Sequence, residues 1–415
     1  MIAAAVKSGM GLERRWVGTE ELSRVAETRM LCYAGGRSEL PAVIERAQND
    51  YRAKGGEFLL IERDGRPVGT STSYSFTMFA RGAAIPAQGV GWVGTVRTER
   101  RKSGTGEPGI ATIVMQETLR RARERGDLVS ALMPFRASYY EHFGYGLVER
   151  RCDWTIPLNL LPSGSTDGLR FYEPGDFDEL LACRNRIAAN GQCDFVRSAA
   201  LMEQLLQKGD EGFVIVDRPE NQGPVRGWMT LFTVPKDGHK YVKIGDRGSD
   251  DSAGLVRQLR MLGTLKDQYF GAMLTMPADF QLNRLLKESQ LPHRPVEHSI
   301  PQVSYYTRMQ IRILDHRKFL EALHLPLTIR GALTVEVQEC EGSLSRFRME
   351  IDSGQVTVKP ATDDPTFRCA DTTWASIVCG DLTGSAAVRT GIAEGDGALL
   401  DVFSAGAAPF TSEHF

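Results

Sequence analysis

The stretch GWVGTVRTERRKSGTGEPGIATIVMQETLRRARERG, from Gly91 to Gly126, decides the fold. An apolar run that ends at Val96 has the composition of a β-strand, and a polar run follows it that contains three consecutive cations, Arg100 to Lys102. Three glycines then precede a segment with helical spacing. Backbone N–H groups at a glycine-rich turn and at a helix N-terminus can all face one anion. The stretch is therefore predicted to be a strand, a phosphate-holding turn and a helix.

Residues typical of helix starts and helix ends predict the bounds of that helix. Pro108 suits the first turn, where its missing N–H costs nothing, and Gly126 suits the C-terminal stop. The predicted helix therefore runs from Pro108 to Arg125, with one broad apolar stripe facing the core.

Two other phosphate-binding motifs share part of this pattern. The glycines spell G-x-G-x-x-G, the dinucleotide fingerprint, at Gly104, Gly106 and Gly109. That fingerprint needs a strand that runs straight into the first glycine and an acid at the end of the next strand. Here the polar run 97–103 intervenes, and the next strand, 128–133, ends without a carboxylate. A P-loop needs Lys and Ser or Thr where Ile110 and Ala111 stand. The sequence therefore disfavours both a nicotinamide oxidoreductase and a P-loop protein.

Composition excludes several other classes. The formal net charge of −2 over 415 residues gives no basic field for nucleic acid, and no apolar run is long enough to span a bilayer. The seven cysteines are scattered without C-x-x-C, which favours reduced thiols in a cytoplasmic protein. The seven histidines form no metal-binding pair, so no metal site is expected. The first fifteen residues carry their charges after the apolar patch, unlike a signal peptide.

The chain divides into three blocks. The first contains a helix, two strands joined at Asp64-Gly65 in a hairpin, the stretch quoted above and the strand 128–133. The second, about 169–302, repeats the order helix, hairpin, strand, helix, strand, which predicts a duplicated fold. The third, from about Tyr306, begins with MQIRILDHRKFLEAL and continues with alternating strands and then helices.

The first block resembles a known family. Gly91–Gly126 is similar to the acetyl-coenzyme A segment of GNAT N-acetyltransferases, and ALMPFRASYYEHFGYG, Ala131–Gly146, is similar to the Eis (enhanced intracellular survival) family. The resemblance implies an α+β protein with two tandem GNAT-like domains followed by a sterol-carrier-protein-like α/β domain. The corresponding limits are 1–155 for the acetyl-CoA-binding domain, 156–304 for a second GNAT-like domain that lacks a cofactor site, and 305–415 for the C-terminal domain.

The resemblance also implies a set of residues that bind acetyl-CoA. They are Val93, Gly94, Thr95, Arg100, Arg101, Lys102, Gly104, Gly106, Gly109, Ile110, Ala111, Phe135 and Arg136. The backbone of Val93 and Thr95 would pair with the pantetheine amides. Two alignments of the phosphate turn stay open, because Arg101-x-x-Gly104-x-Gly106 fits the motif letters and Gly109-Ile-Ala111 fits the helix length.

The second block is expected to bind no coenzyme A. Its equivalent segment, Lys243–Leu259, has Asp246, Asp250 and Asp251 where the first block has cations, and these carboxylates would repel a pyrophosphate. We therefore expect one acetyl-CoA per chain, as a co-substrate.

The resemblance implies unusual catalytic groups. Tyr140, just before F-G-Y-G, would be the general acid, since a phenol has a reference pKa of about 10, close to that of a thiol. The general base would be the C-terminal carboxylate of Phe415, although a frayed tail is the usual state of a terminus. His414 is an alternative base. Tyr139 and Tyr145 are expected to be packing aromatics.

Two questions stay open at this stage. The acceptor is expected to be a small-molecule amine, but nothing in the sequence identifies it. An alternative is a non-catalytic lipid- or ligand-binding protein built on the same domains. The resemblance also implies a homo-oligomer, with a hexamer expected, and neither a nucleic-acid nor a membrane partner.

Overall fold

The computed structural model describes residues 6–7, 11–33, 35–100, 108–208, 212–219, 223–290 and 300–415. The chain folds into two compact units. The first contains the chain up to Val148, Met309–Ala405 and His414–Phe415, and the second contains Glu149–Arg308 and Gly406–Glu413. Within the described residues, no helix is both long and apolar enough to cross a membrane.

In the described residues of its N-terminal part, the first unit contains the strands β1 to β7 and the α-helices α1 to α4. The strands are β1 Val6–Lys7, β2 Leu12–Val17, β3 Glu57–Arg63, β4 Arg66–Ala80, β5 Ala83–Thr95, β6 Val129–Leu132 and β7 Gly146–Leu147. The helices are α1 Leu22–Tyr33, α2 Leu40–Lys54, α3 Ile110–Arg125 and α4 Ala137–Glu141. The hairpin predicted at Asp64-Gly65 is confirmed, because both turn residues have positive φ, 51° and 71°, as a tight two-residue hairpin turn requires.

The second unit has its own sheet. The elements of this unit are β8 Arg150–Pro157, β9 Leu169–Phe171, α5 Phe177–Asn190, β10 Asp194–Phe195, α6 Ala199–Lys208, β11 Gly212–Asp217, β12 Gly227–Lys236, β13 His239–Ser249, α7 Ser252–Thr264, β14 Gly271–Pro277 and β15 Gln302–Thr307. The strand order is β15-β8-β14-β13-β12-β11-β9. The predicted limit at residue 155 falls inside β8, which pairs along its length with β14 of this sheet.

The last part of the first unit begins with a strand that returns to the first sheet. Its elements are β16 Gln310–Ile313, α8 His316–Ala322, β17 Gly331–Gln338, β18 Leu344–Asp352, β19 Gln355–Pro360, β20 Phe367–Ala370, α9 Asp371–Val378, α10 Gly384–Arg389 and β21 Ala393–Gly395. The first sheet has the order β1-β2-β3-β4-β5-β6-β16-β7, and a third sheet has the order β19-β18-β17-β20-β21. The first and third blocks therefore share one compact unit.

The predicted duplication is visible in the strand pairing. In the first sheet β3, β4 and β5 are antiparallel neighbours, and after α3 the next strand, β6, lies parallel to β5. In the second sheet β11, β12 and β13 are antiparallel neighbours, and after α7 the strand β14 lies parallel to β13. Each of the first two blocks therefore contains a mixed α/β unit of the same topology.

Helix α3 packs against the first sheet and positions the site. It begins at Ile110 rather than at the predicted Pro108, because Gly109 is extended and serves as the N-cap. Gly126 ends the helix as predicted, with φ 84° and an N–H that bonds back to the last turn. The buried stripe joins two clusters, one through Ile110 and Val114 and one through Met115 and Leu119. This packing fixes the N-terminus of α3 beside the end of β5.

Candidate active site

Strands β5 and β6 separate at the centre of the first sheet. Their parallel pairing covers Ala87–Val90 and ends where Val90 meets Leu132. The rest of β5, from Gly91 to Thr95, has no partner on the β6 side in this ladder. This part of β5 can therefore receive an extended ligand in the manner of an added β-strand, where the Val93 and Thr95 carbonyls now accept from the side chains of Tyr33 and Arg100.

A β-bulge lies at the point of separation. Trp92 and Val93 together stand opposite the single residue Ser71 of β4, and Trp92 has φ 54°, which side chains other than glycine rarely adopt. The ring of Trp92 is held by the guanidinium of Arg29, 4.4 Å from its centroid, and by the edge of Tyr33, 5.8 Å between centroids. The Tyr33 hydroxyl donates to the carbonyl of Val93. Helix α1 thus holds the bulge in place.

A cavity of about 560 Å³ opens beside this bulge. Its lining residues are Tyr33, Val93, Gly94, Thr95, Glu99, Arg100, Gly109, Ile110, Ala111, Phe135 and Tyr139. The structure therefore brings together eight residues of the predicted acetyl-CoA set: Val93, Gly94, Thr95, Arg100, Gly109, Ile110, Ala111 and Phe135. Phe135 is 75% exposed, so a large apolar ring stands at the rim.

The N-terminus of α3 forms one end of the cavity. The N-cap Gly109 has no side chain to accept from the first-turn N–H groups, and a Cβ built on it would meet no described residue within 4 Å. Unpaired N–H groups at a helix start carry partial positive charge and bind phosphate well. The site can therefore accept an anion at Gly109–Ala111.

Arg100 and the predicted cofactor residues that do not line the cavity have different surroundings. Arg100 lies on the cavity wall, where Nη2 donates to the carbonyl of Cys32 at 2.7 Å and Nε to that of Thr95 at 3.3 Å. Arg136 is exposed, does not line the cavity, and donates to the Ser138 hydroxyl at 3.2 Å. Outside the described residues lie the other four, Arg101, Lys102, Gly104 and Gly106.

Two adjacent tyrosines of α4 differ in their surroundings. Tyr139 lines the cavity, and its hydroxyl is buried without a hydrogen-bond partner among the described residues. Tyr140 lies behind it, 4% exposed, in the cluster that contains Met115 and Leu119. Burial raises the pKa of Tyr139 to about 12 and raises that of Tyr140 as well, with a smaller contribution from the neighbouring Tyr33. Both phenols therefore keep their protons at neutral pH.

Tyr145 is a packing residue, as expected. It is fully buried, and its hydroxyl pairs with the Ser130 hydroxyl at 2.7 Å. The Tyr145 hydroxyl therefore already has a hydrogen-bond partner inside the apolar core.

The chain terminus lies against β5. The ring of Phe415 packs on Phe76 with 5.1 Å between centroids. A Cβ placed on Gly91 would lie 3.5 Å from the carboxyl carbon of Phe415, so the terminal carboxylate lies one residue before the bulge. His414, the alternative base, is exposed.

The residues before the terminus are ordered within the second unit. The buried carboxylate of Glu413 accepts from Arg184 and from Arg197, each at 2.8 Å. The Thr411 N–H donates to Glu149 at 2.9 Å, and Arg308 donates to the Glu413 carbonyl at 2.8 Å. This network replaces the frayed tail that termini usually form.

In the second unit, the segment equivalent to the phosphate turn uses its own carboxylates. Asp251 is the N-cap of α7 and accepts from the Gly254 N–H at 2.7 Å, so an internal anion occupies this helix start. Asp250 pairs with Arg186 at 2.6 Å, and Asp246 pairs with Arg197 at 2.6 Å. The start of α7 is thus capped by a carboxylate, whereas the start of α3 has a glycine N-cap and no side-chain cap.

One cluster in the described part of the first unit has the residue types of a metal site. Ligand atoms of Cys340, Glu341 and Asp371 lie within 4.8 Å of one another. Arg312 donates to Glu341 at 2.6 Å, and the Cys340 N–H donates to Asp371 at 2.7 Å. Both carboxylates therefore already accept hydrogen bonds from this chain.

Sequence reasoning missed three features of the site. Tyr33 and Glu99 line the cavity but belong to no motif, and the bulge at Trp92 escaped notice. The run Gly89-Val90-Gly91-Trp92-Val93-Gly94 held a usable signal, because repeated glycines within a strand mark bulges and close contacts.

Comparisons with known proteins agree with this geometry. Residues 14–148 match the family model described as an acetyltransferase (GNAT) domain. An uncharacterized N-acetyltransferase of Streptomyces avermitilis is 32% identical over 114 residues. That alignment covers 27% of this chain and 25% of the relative's own length.

Solved structures share the fold over almost the whole chain. A GCN5-related N-acetyltransferase from Anabaena variabilis has a TM-score of 0.80 at 17% identity, covering 97% of this chain and 100% of its own. Eis1 from Mycobacterium abscessus has a TM-score of 0.75, also at 17% identity, over 97% of this chain and 100% of its own. At such identities the likeness concerns the fold. Residues 14–148 thus match a GNAT acetyltransferase domain, the type of domain that carries out acetyl-CoA-dependent acyl transfer.

Proposed function

We propose that the protein is an N-acetyltransferase that moves the acetyl group of acetyl-CoA to a small-molecule amine. The observation that carries the proposal is the cavity of about 560 Å³ between the bulged end of β5 and the open N-terminus of α3. It offers strand backbone beyond the end of the β5–β6 ladder at one side and helix N–H groups at the other, which are the two elements that an amide-containing, phosphate-ended ligand needs.

The residues present suit coenzyme A. The backbone from Val93 to Thr95 would pair with the pantetheine amides, and the N–H groups at Gly109–Ala111 would hold the pyrophosphate. Phe135, exposed at the rim, would cover apolar parts of the ligand. The cations Arg100, Arg101 and Lys102 would add charge-assisted contacts. Of these three, Arg100 bonds backbone carbonyls on the cavity wall and would have to leave them.

In the proposed reaction the amine nitrogen attacks the thioester carbonyl carbon. The new N–C bond forms, the C–S bond breaks, and the thiolate takes a proton from Tyr140. The amine loses a proton to the carboxylate of Phe415, directly or through a water molecule. A terminal carboxylate has a reference pKa near 3.5, so it acts as a weak base whose negative charge also attracts a protonated amine.

Tyr140 is chosen over Tyr139 on the family motif. Burial of the Tyr140 side chain raises its pKa, so the phenol keeps its proton and can donate a hydrogen bond to a developing thiolate. Tyr139 lines the cavity and is the competing candidate. Single replacements of each by phenylalanine separate the two.

We extend the proposal to the rest of the chain. The second GNAT-like domain binds no acetyl-CoA, which the capping of α7 by Asp251 supports. The last domain, 305–415, is proposed to resemble a sterol carrier protein, and the chain to form a cytoplasmic homohexamer. The seven cysteines, all among the described residues, are present as thiols, which supports a reducing compartment.

The test is an acetyl-transfer assay with a panel of primary amines. Released thiol and acetylated product should appear together, at a rate that depends on both acetyl-CoA and amine. If acetyl-CoA binds but no amine is acetylated, and the protein instead takes up lipid, the non-catalytic binding alternative replaces this proposal.

A further inference from the structure

Two glycines of β5 leave an empty strip on the first sheet. Gly89 and Gly91 are two residues apart in a strand, so they face the same side. Neither has φ in the left-handed region, so the backbone would accept any residue at either position. Glycine is therefore needed at these two positions for the space above the strand and not for its backbone conformation.

Three aromatic rings use that space. A Cβ on Gly89 would lie 2.3 Å from Cε2 of Phe76 and 3.0 Å from Cδ2 of Phe415. A Cβ on Gly91 would lie 3.0 Å from Cε2 of Tyr74 and 3.5 Å from the carboxyl carbon of Phe415. Tyr74 stands opposite Gly89 in the ladder, so its ring leans one step along β5 to reach Gly91. Rings that cover cross-strand glycines in this way are a known means of stabilising a sheet.

We propose that Gly89 and Gly91 form a recess that seats the terminal phenylalanine and thereby positions its carboxylate beside the bulge. The two glycines are positioning residues, and this role rests on the proposed function of Phe415 as general base. Phe76 forms the outer wall of the recess, with its ring 5.1 Å from that of Phe415 between centroids.

The recess gives an ordered prediction for alanine substitutions. At Gly89 a methyl group cannot fit unless Phe76 and the terminal ring both move, because 2.3 Å is far below any real contact. At Gly91 the added atom meets the carboxyl carbon at an ordinary van der Waals distance and displaces only the Tyr74 ring. Gly89→Ala should therefore disturb the terminus more than Gly91→Ala.

The seating of the terminus can be measured without catalysis. Carboxypeptidase A releases C-terminal aromatic residues, and release of Phe415 should be slow in the wild type because the ring is packed. Gly89→Ala should speed this release and lower kcat by about tenfold or more, since an ångström-scale displacement of a catalytic group can cost about 10²-fold. The acetyl-CoA dissociation constant should stay unchanged. Gly175→Ala is the matched control, because a Cβ there meets nothing within 4 Å.

Two double variants protect the test against a general loss of structure. Phe76→Leu in the Gly89→Ala background removes the closest clash, and Phe415→Leu keeps the terminal carboxylate while removing the ring contact. Either should recover part of the lost turnover and restore the thermal midpoint. Recovery by both identifies the recess as the cause.

The outcomes separate the recess from the proposed chemistry. Faster release of Phe415 with unchanged turnover would keep the recess and remove the carboxylate from the mechanism. Unchanged release in Gly89→Ala, whatever happens to turnover, would overturn the recess. A loss of turnover that neither double variant recovers would also overturn it.

Discussion

The carboxyl carbon of Phe415 lies 3.5 Å from the position that a side chain at Gly91 would occupy, one residue before the bulge at Trp92. The last residue of the chain is thus folded onto the strand that also lines the candidate acetyl-CoA cavity through Val93. This relationship makes a chain terminus available as a chemical group, and it can be tested by changes that leave the rest of the protein untouched.

A chain extended by two glycines after Phe415 should stay folded, bind acetyl-CoA normally and lose most of its turnover. The extension converts the Phe415 carboxylate into a neutral amide and moves the new carboxylate away, while the added residues cost little stability at a terminus. Steady-state kinetics and calorimetry on the extended chain make the comparison.

The control for that experiment is His414→Ala, which should retain most activity because it leaves the Phe415 carboxylate in the chain. If the histidine is the base, the pattern reverses, with a slow His414→Ala variant and a nearly normal extended chain. Full activity in a chain with a C-terminal tag would remove the terminal carboxylate from the mechanism.

Tyr140→Phe should keep the fold and the acetyl-CoA affinity and lower kcat by about 10²-fold or more, the range for a lost general acid. Tyr139→Phe should be mild, although Tyr139 lines the cavity. Pre-steady-state thiol release would show whether the chemical step is affected. The reverse order of the two effects would assign the acid to Tyr139, and equal effects would return Tyr140 to a packing role.

Much of the first sheet could be predicted from the sequence, because its signals are local. The hairpin at Asp64-Gly65 and the stop at Gly126 depend on glycine conformations that neighbouring residues specify. The glycines around Trp92 indicate an irregular strand, but they do not indicate that Trp92 itself takes the positive φ, since Arg29 and Tyr33 of helix α1 hold its ring.

The position of β16 in the first sheet could not be predicted either. Strand β16 has a plain strand pattern, which does not encode its insertion between β6 and β7. For the site, the predicted cofactor residues at the end of β5 and at the start of α3 line the cavity and belong to one contiguous stretch of sequence. Residues brought in by tertiary contacts, such as Tyr33, carry no signal in a single sequence.

The pH dependence of kcat follows from the direction of the Tyr140 pKa. Burial raises that pKa above its usual value near 10, so the protonated, active acid persists to higher pH than a free phenol would allow. Between pH 7 and about 10, kcat should show no loss caused by phenol ionisation. A falling limb well below pH 9 in the wild type that is absent in Tyr140→Phe would contradict this assignment.

Light scattering at micromolar concentration should give the mass of a closed homo-oligomer, with six copies expected. A fixed position for the terminal carboxylate favours a rigid assembly. A monomer under these conditions would contradict the proposed assembly, while leaving the cavity and its chemistry untouched.

The central claim, that the cavity between β5 and α3 is the acetyl-CoA site, is tested most directly by calorimetric titration of acetyl-CoA into the wild type, Gly109→Asp and Gly175→Asp. Among the described residues, a Cβ added at either glycine would meet no atom within 4 Å, so the two variants differ mainly in where they place a negative charge. The wild type and Gly175→Asp should bind one acetyl-CoA per chain. Gly109→Asp should bind at least about tenfold more weakly, since a charge-assisted contact is worth roughly 1.5–3 kcal/mol. Two equivalent sites in the wild type, or undiminished binding in Gly109→Asp, would contradict the account.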